Sequence, residues 1–153
     1  MRRSRLRRSA VTATLCGALL TTSGCGTTNP DPADYREQAS LALGTAVSEL
    51  ATTRLYLRQL DEEDAFRTSA TTQIRYSDES LGSQAQSFGT LNPPPGLDPL
   101  YKRCTTLLGD AQDLEAQVRI AVHRDDAARY AGLAKRLQAL GSRIEKLENR
   151  VSS

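Results

Sequence analysis

Apolar side chains recur along most of this chain at alternating spacings of four and three. Ala39, Leu43, Ala46, Leu50, Thr53, Leu57 and Leu60 form the first such seam, widened by Val47. That spacing keeps one side of a helix greasy, so an amphipathic helix is expected over about residues 32–60. Its start is marked by Asp31-Pro32-Ala33-Asp34. Asp31 suits the cap, Pro32 the first helical position, and Asp34 the positive end of the helix dipole. A second seam, Ala70, Ile74, Ser77, Leu81, Gln84, Phe88 and Leu91, predicts a helix over about 63–91. It is the wettest, because Ser77 and Gln84 occupy seam positions.

The third seam runs Leu100, Cys104, Leu107, Ala111, Leu114, Val118 and Ala121, broadened by Tyr101, Leu108 and Val122. It predicts a well-buried helix over about 98–123, opened by a second aspartate–proline pair, Asp98-Pro99. His123-Arg124-Asp125-Asp126 then places base at the end of one helix and acid at the start of the next. The fourth seam, Tyr130, Leu133, Leu137, Leu140, Ile144, Leu147 and Val151, is a strict heptad over about 126–151.

Two interruptions organise these segments. Asn92-Pro93-Pro94-Pro95-Gly96 breaks the chain outright, since consecutive prolines cannot continue a helix. Asp61-Glu62-Glu63-Asp64 holds no Gly or Pro, but one helix from Asp34 to Leu91 would be about 85 Å long. No domain of this size covers such a rod, so a turn is expected there. The expected fold is all-α, an antiparallel up-down four-helix bundle over 33–151. A three-helix arrangement with a long, kinked first helix is the alternative.

The leader changes the reading of location. Met1 to Arg8 is basic and free of acid, and an uncharged run from Ala10 to Thr22 follows. A basic segment before a short apolar one has the form of a secretory signal, too short to span a bilayer. Ser23-Gly24-Cys25 ends it, and this sequence resembles the bacterial lipobox, although Thr22 stands where Leu or Val is usual. The resemblance implies cleavage after residue 24, a diacylglycerol on the Cys25 thiol, and a mature chain that begins at Cys25. Residues 25–32 then form the lipidated cysteine and a polar tether. Two acyl chains make a stable anchor where one is marginal. Arg2-Arg3 matches only the start of a twin-arginine signal, with Arg5 where an apolar residue is wanted, so the export route stays open.

Charge is reread once the leader is set aside. The chain has 20 basic and 18 acidic side chains, but five arginines and no acid lie in the leader. The remaining 15 against 18 give a net charge of −3, so no nucleic-acid partner is expected. Cys16 leaves with the leader and Cys25 carries lipid, which leaves Cys104 alone as a core thiol and excludes an intrachain disulfide from the mature form. Trp is absent and aromatics are few. Aliphatic packing must supply the stability.

Few residues suggest chemistry. Arg129, Arg136, Arg143 and Arg150 recur every seven positions beside the last seam, where coiled coils select partners by charge. They form either a solvated edge paired to Asp110, Asp113 or Glu115, or a docking stripe for an acidic partner or anionic headgroups. Gln73, Ser77 and Gln84 mark either a solvent-facing side of the second helix or a polar groove for a small molecule or peptide. The Asp61–Asp64 run lacks the alternating donors and glycine of a calcium loop. His123 is the only histidine, and zinc-ligand spacing, hydrolase elbows and phosphate-cradling loops are missing from the sequence. No cofactor or metal is therefore expected, and no enzyme.

Leader, tether and Leu/Ala-rich helices hinged at Leu91–Leu97 together resemble the small secreted lipoproteins of high-GC Gram-positive bacteria. The resemblance implies the outer face of the cytoplasmic membrane, with the membrane as partner through Cys25 and another envelope protein as a second partner. It carries no activity. The sequence thus points to an anchored interaction or scaffold module, with the small-molecule or peptide binder as the alternative.

Overall fold

A computed structural model describes residues 30–62 and 67–153. These form four α-helices: α1 (Pro32–Asp61), α2 (Arg67–Gly89), α3 (Asp98–His123) and α4 (Tyr130–Val151), with a short 3-10 turn over Ala127–Arg129. The described residues contain no strand. The helices form an antiparallel up-down bundle in which each sequence neighbour lies alongside the next and α1 returns against α4. α1 and α2 pack side by side as separate helices, so the long kinked alternative is not what the chain adopts. The leader, Cys25 and residues 63–66 lie outside the described residues.

Local chemistry explains where most helices start and stop. Asp31 caps α1: its Oδ1 accepts from the backbone N–H groups of Ala33 and Asp34 at 2.7 and 2.9 Å. Two otherwise orphaned donors are thereby satisfied. The second aspartate–proline pair behaves differently. Leu97 takes the cap position without a side-chain bond, and Asp98 already belongs to the first turn of α3. The proline run sets this geometry, because Leu97 N donates to Pro94 O at 3.0 Å and closes a turn over Gly96 at φ +87°. Asp98 enters the helix one residue before a cap could form.

α3 ends with Asp125 in the left-handed region at φ 57°. Asp126 N donates to Ala121 O at 2.9 Å and Asp125 N to Val122 O at 3.2 Å. This is the paired closure usually built on glycine, which aspartate tolerates better than most residues. Asp125 also pairs with Arg67, tying the start of α2 to the end of α3. The chain then makes its 3-10 turn, so α4 begins at Tyr130 rather than near 126.

The seams read from the sequence are the core. Leu43, Leu50, Leu57, Ile74, Leu81, Leu108, Leu137 and Ile144 are fully buried or nearly so. Tyr35 and Phe88 meet at 5.7 Å between ring centroids, and Tyr101 stacks on Phe88 at 6.1 Å, closing the end that holds both chain termini of the bundle. α1 presents Ala39, Ala42 and Ala46, all fully buried. Small side chains let two helix backbones approach closely, and α1 packs more extensively on α4 than any other pair of helices does.

That arrangement has a direct test. Ala46→Leu forces extra methylenes into the packed face of α1 and is expected to cost about 1–3 kcal/mol in urea denaturation. Leu41 on the same helix is 54% exposed. Leu41→Ala is expected to change stability by less than about 0.5 kcal/mol. Equal effects at the two positions would refute the facing of α1 described here.

Candidate functional site

The packing of α1 on α4 has a counterpart on the other side of the last helix. α3 and α4 touch far less extensively, and a cleft opens between them. Near the termini it encloses about 420 Å³, walled by Lys102 and Arg103 from α3 and by Arg143, Lys146 and Arg150 from α4. Leu107 and Leu147 form its apolar floor. Further along, the cleft continues over about 380 Å³ beside Asp110, Asp113, Gln117 and Arg136. One end is basic and the other carries both signs.

Each member of the arginine stripe has a defined place. Arg143 reaches Asp110 at 3.6 Å. Arg136 Nη1 donates to Gln117 Oε1 at 2.8 Å, bridging α4 to α3 across the mixed end. Arg150 Nε donates to the Lys146 carbonyl at 2.9 Å, which keeps it on its own helix. Arg129 stands exposed in the 3-10 turn at the far end of the bundle. Three of the four arginines thus line one cleft, while Arg129 stands apart. Lys102 and Arg103, which complete the basic end, are supplied by α3. Heptad spacing within α4 holds no signal for them.

The acids expected opposite this stripe divide. Asp110 and Asp113 line the cleft. Glu115 does not: it is fully buried, and the Thr53 hydroxyl donates to its Oε2 at 2.9 Å. Its Oε1 has no hydrogen-bond partner among the described residues. Burial pushes the Glu115 carboxyl up to about 8; the Thr53 bond opposes the shift, and Asp78 and Glu49 add to it. A carboxyl in this setting holds its proton at neutral pH, which removes the cost of a buried charge. Nearby, Ser80 donates to Glu49 at 2.7 Å and Arg119 pairs with Asp78 at 3.1 Å.

The other sequence candidates are dispersed. Ser77 is buried in the core face of α2, Gln84 is half-buried and Gln73 is exposed. None of the three lines either part of the α3–α4 cleft. Cys104 is fully buried, and its thiol is pushed up to about 11 by burial. Such a thiol is almost wholly protonated at neutral pH and packs as a small apolar group. Tyr35 is likewise pushed up to about 12, chiefly by burial. His123 is exposed in the last turn of α3. The described residues hold no group of three or more metal-ligating side chains, and no described helix is long and apolar enough to cross a membrane.

Comparison with protein families, curated proteins and solved structures finds no match to the chain.

The Glu115 geometry fixes a pH dependence. In the unfolded chain this carboxyl ionises near 4.5, whereas in the bundle it stays protonated to about 8. Between those values the unfolded state releases a proton that the folded state keeps, so stability falls as pH rises from about 4.5 to 8 and then levels. Glu115→Gln is expected to remove this slope and to raise stability above pH 8 by an amount on the order of a few kcal/mol. Parallel stability–pH curves for the two proteins would rule out a protonated Glu115.

Proposed function

We propose that the protein is a lipoprotein anchored through Cys25 to the outer face of the cytoplasmic membrane, and that its bundle is a non-enzymatic module for contact with another envelope protein. The observation that carries this reading is the start of α1 at Pro32, only seven residues beyond Cys25. The Asp31 cap fixes that start, so the bundle begins almost at once after the segment that resembles a lipobox. A domain so close to its anchor works at the membrane surface. The short polar link Gly26–Pro30 spans at most about 18 Å when extended.

The mixed-charge end of the α3–α4 cleft is the surface assigned to the protein partner. It lies toward the middle of the bundle, with Arg136, Asp110 and Asp113 on its rim and Leu114 and Leu140 in its walls. Charge pairs in such a rim select a partner and set its register more than they add affinity. The resemblance of the leader, tether and hinged helices to the small secreted lipoproteins of high-GC Gram-positive bacteria supports the anchored reading.

Two measurements test the reading. The intact mass of native protein extracted from membranes should equal a chain starting at Cys25 plus its acyl groups. An unmodified chain recovered from the medium and cut elsewhere would overturn the anchor. Cross-links formed in cells from a photoreactive residue placed at Gln117 should capture an envelope protein, and Arg136→Glu should abolish them. An unchanged pattern in that variant would overturn the assignment of this surface.

A further inference from the structure

We propose that the basic end of the α3–α4 cleft seats anionic phospholipid headgroups of the membrane that holds the chain, so that the bundle lies against the bilayer instead of swinging on its tether. The proposal rests on the anchored reading above. Its grounds are a concentration of charge, the place of that charge in the bundle, and the length of chain that leads to it.

The charge is unusual for this molecule. Setting the leader aside, the chain has a net charge of −3, yet five cations and no acid wall this end of the cleft. The other clefts between described helices mix signs. Arg54 faces Glu145 between α1 and α4, and Arg58 and Lys135 stand with Asp61 and Glu62 at the far end. Of the five cations, Arg143 reaches Asp110, whereas Lys102, Arg103, Lys146 and Arg150 form no ion pair with any described residue. Like charges gathered around a half-apolar groove repel one another until an anion arrives from outside. Leu107 and Leu147 in the floor suit a ligand that is apolar beneath its charge.

Position decides which anion. The Ser40 and Ser152 hydroxyls meet at 2.8 Å, which fixes the start of α1 beside the end of α4. Lys102 and Arg103 lie in the second turn of α3 at this same end, and Arg143 to Arg150 spans only about 10 Å of helix. The cleft therefore sits at the end from which the tether leaves, within the reach of a linker that extends at most about 18 Å. Of the acids at this end, Glu148 is close to Ser40 and Glu37 lines a separate groove with Ser152, while Asp98 stands exposed one turn before Lys102 and does not line the cleft. Headgroups at the anchor are thus the nearest dense source of negative charge, and they meet the basic side. Juxtamembrane lysines and arginines are drawn to such surfaces over about a Debye length.

The chain offers its own reporters, because it has three lysines: Lys102 and Lys146 in the basic cleft and Lys135 near the opposite end. Native acylated protein is reconstituted into vesicles of phosphatidylcholine, with or without phosphatidylglycerol, and the rate of amine acetylation is read at each lysine by mass spectrometry. With phosphatidylglycerol present, Lys102 and Lys146 should react roughly fivefold more slowly while Lys135 is unchanged. High salt, or Arg103→Glu combined with Arg150→Glu, should restore the rates found on neutral vesicles. Equal rates on both vesicle types would overturn the proposal. So would protection that ignores lipid charge, or protection that appears only in native membranes, where a protein would be the occupant. Mass measured on the same sample keeps the two readings apart. An unacylated chain overturns the anchor, and the footprint after mixing with the same vesicles then reports the cleft alone.

Discussion

The contact between the first helix and the last carries the architecture. α1 carries three fully buried alanines, and it packs on α4 more extensively than any other pair of helices does. With no disulfide among the described residues, this burial of aliphatic surface is what closes the bundle. Closure by the outermost helices has a geometric consequence. It brings the start of α1 beside the end of α4, so both of these and the basic part of the cleft share one end of the bundle. It also turns α4 so far toward α1 that its contact with α3 is left partly open.

The same rotation sorts the charges of α4. Glu145 lies on the edge toward α1, with Glu148 close to Ser40, while Arg136, Arg143 and Arg150 lie on the edge toward α3. The last three turns of α4 thus carry acid along one edge and base along the other, while Lys135 faces α1 nearer the helix start. The open cleft inherits the basic edge, and α3 divides it. Asp110 and Asp113 neutralise the half nearer the middle, and Lys102 and Arg103 reinforce the half nearer the start of α3. A single groove therefore presents two surfaces of different chemistry.

How much of this the sequence reveals depends on whether a feature lies within one helix or between two. The seams, the Asp31 cap and the proline break are local, and the heptad leucines of α4 are buried where their period places them. Three boundaries differ because turns compete with helix starts. The proline run fixes Leu97 as the cap, the left-handed Asp125 delays α4, and α2 already stops at Gly89. Glu115 is the instructive case. Its charge suggests a surface partner for the arginine stripe, but Ala111, Leu114, Glu115 and Val118 share one helical face, and Thr53 is the polar member of the facing seam. Two polar residues on two seams are the signal for a buried pair, and single-helix reasoning does not join them. Lys102 and Arg103 escape for the same reason, since the basic cleft exists only when α3 and α4 lie side by side.

Buried Glu115 and the exposed cations also show two ways in which this bundle handles charge it does not pair. In the interior the cost of desolvation exceeds what one hydroxyl returns, so the carboxyl keeps its proton and enters the core as a neutral group. Protonation offers no such escape to arginines, and surface lysines remain charged at any physiological pH. At the basic end of the cleft the only ways to relieve crowded positive charge are water, salt or an external anion. Water and salt screen it over several ångströms but leave the side chains unordered. An anion fixed in place does more, because it orders the side chains and gains from every cation around it at once. Among the described residues, five cations surround that end of the cleft and only Arg143 has an ion-pair partner, so a fixed anion there would be held by several side chains together.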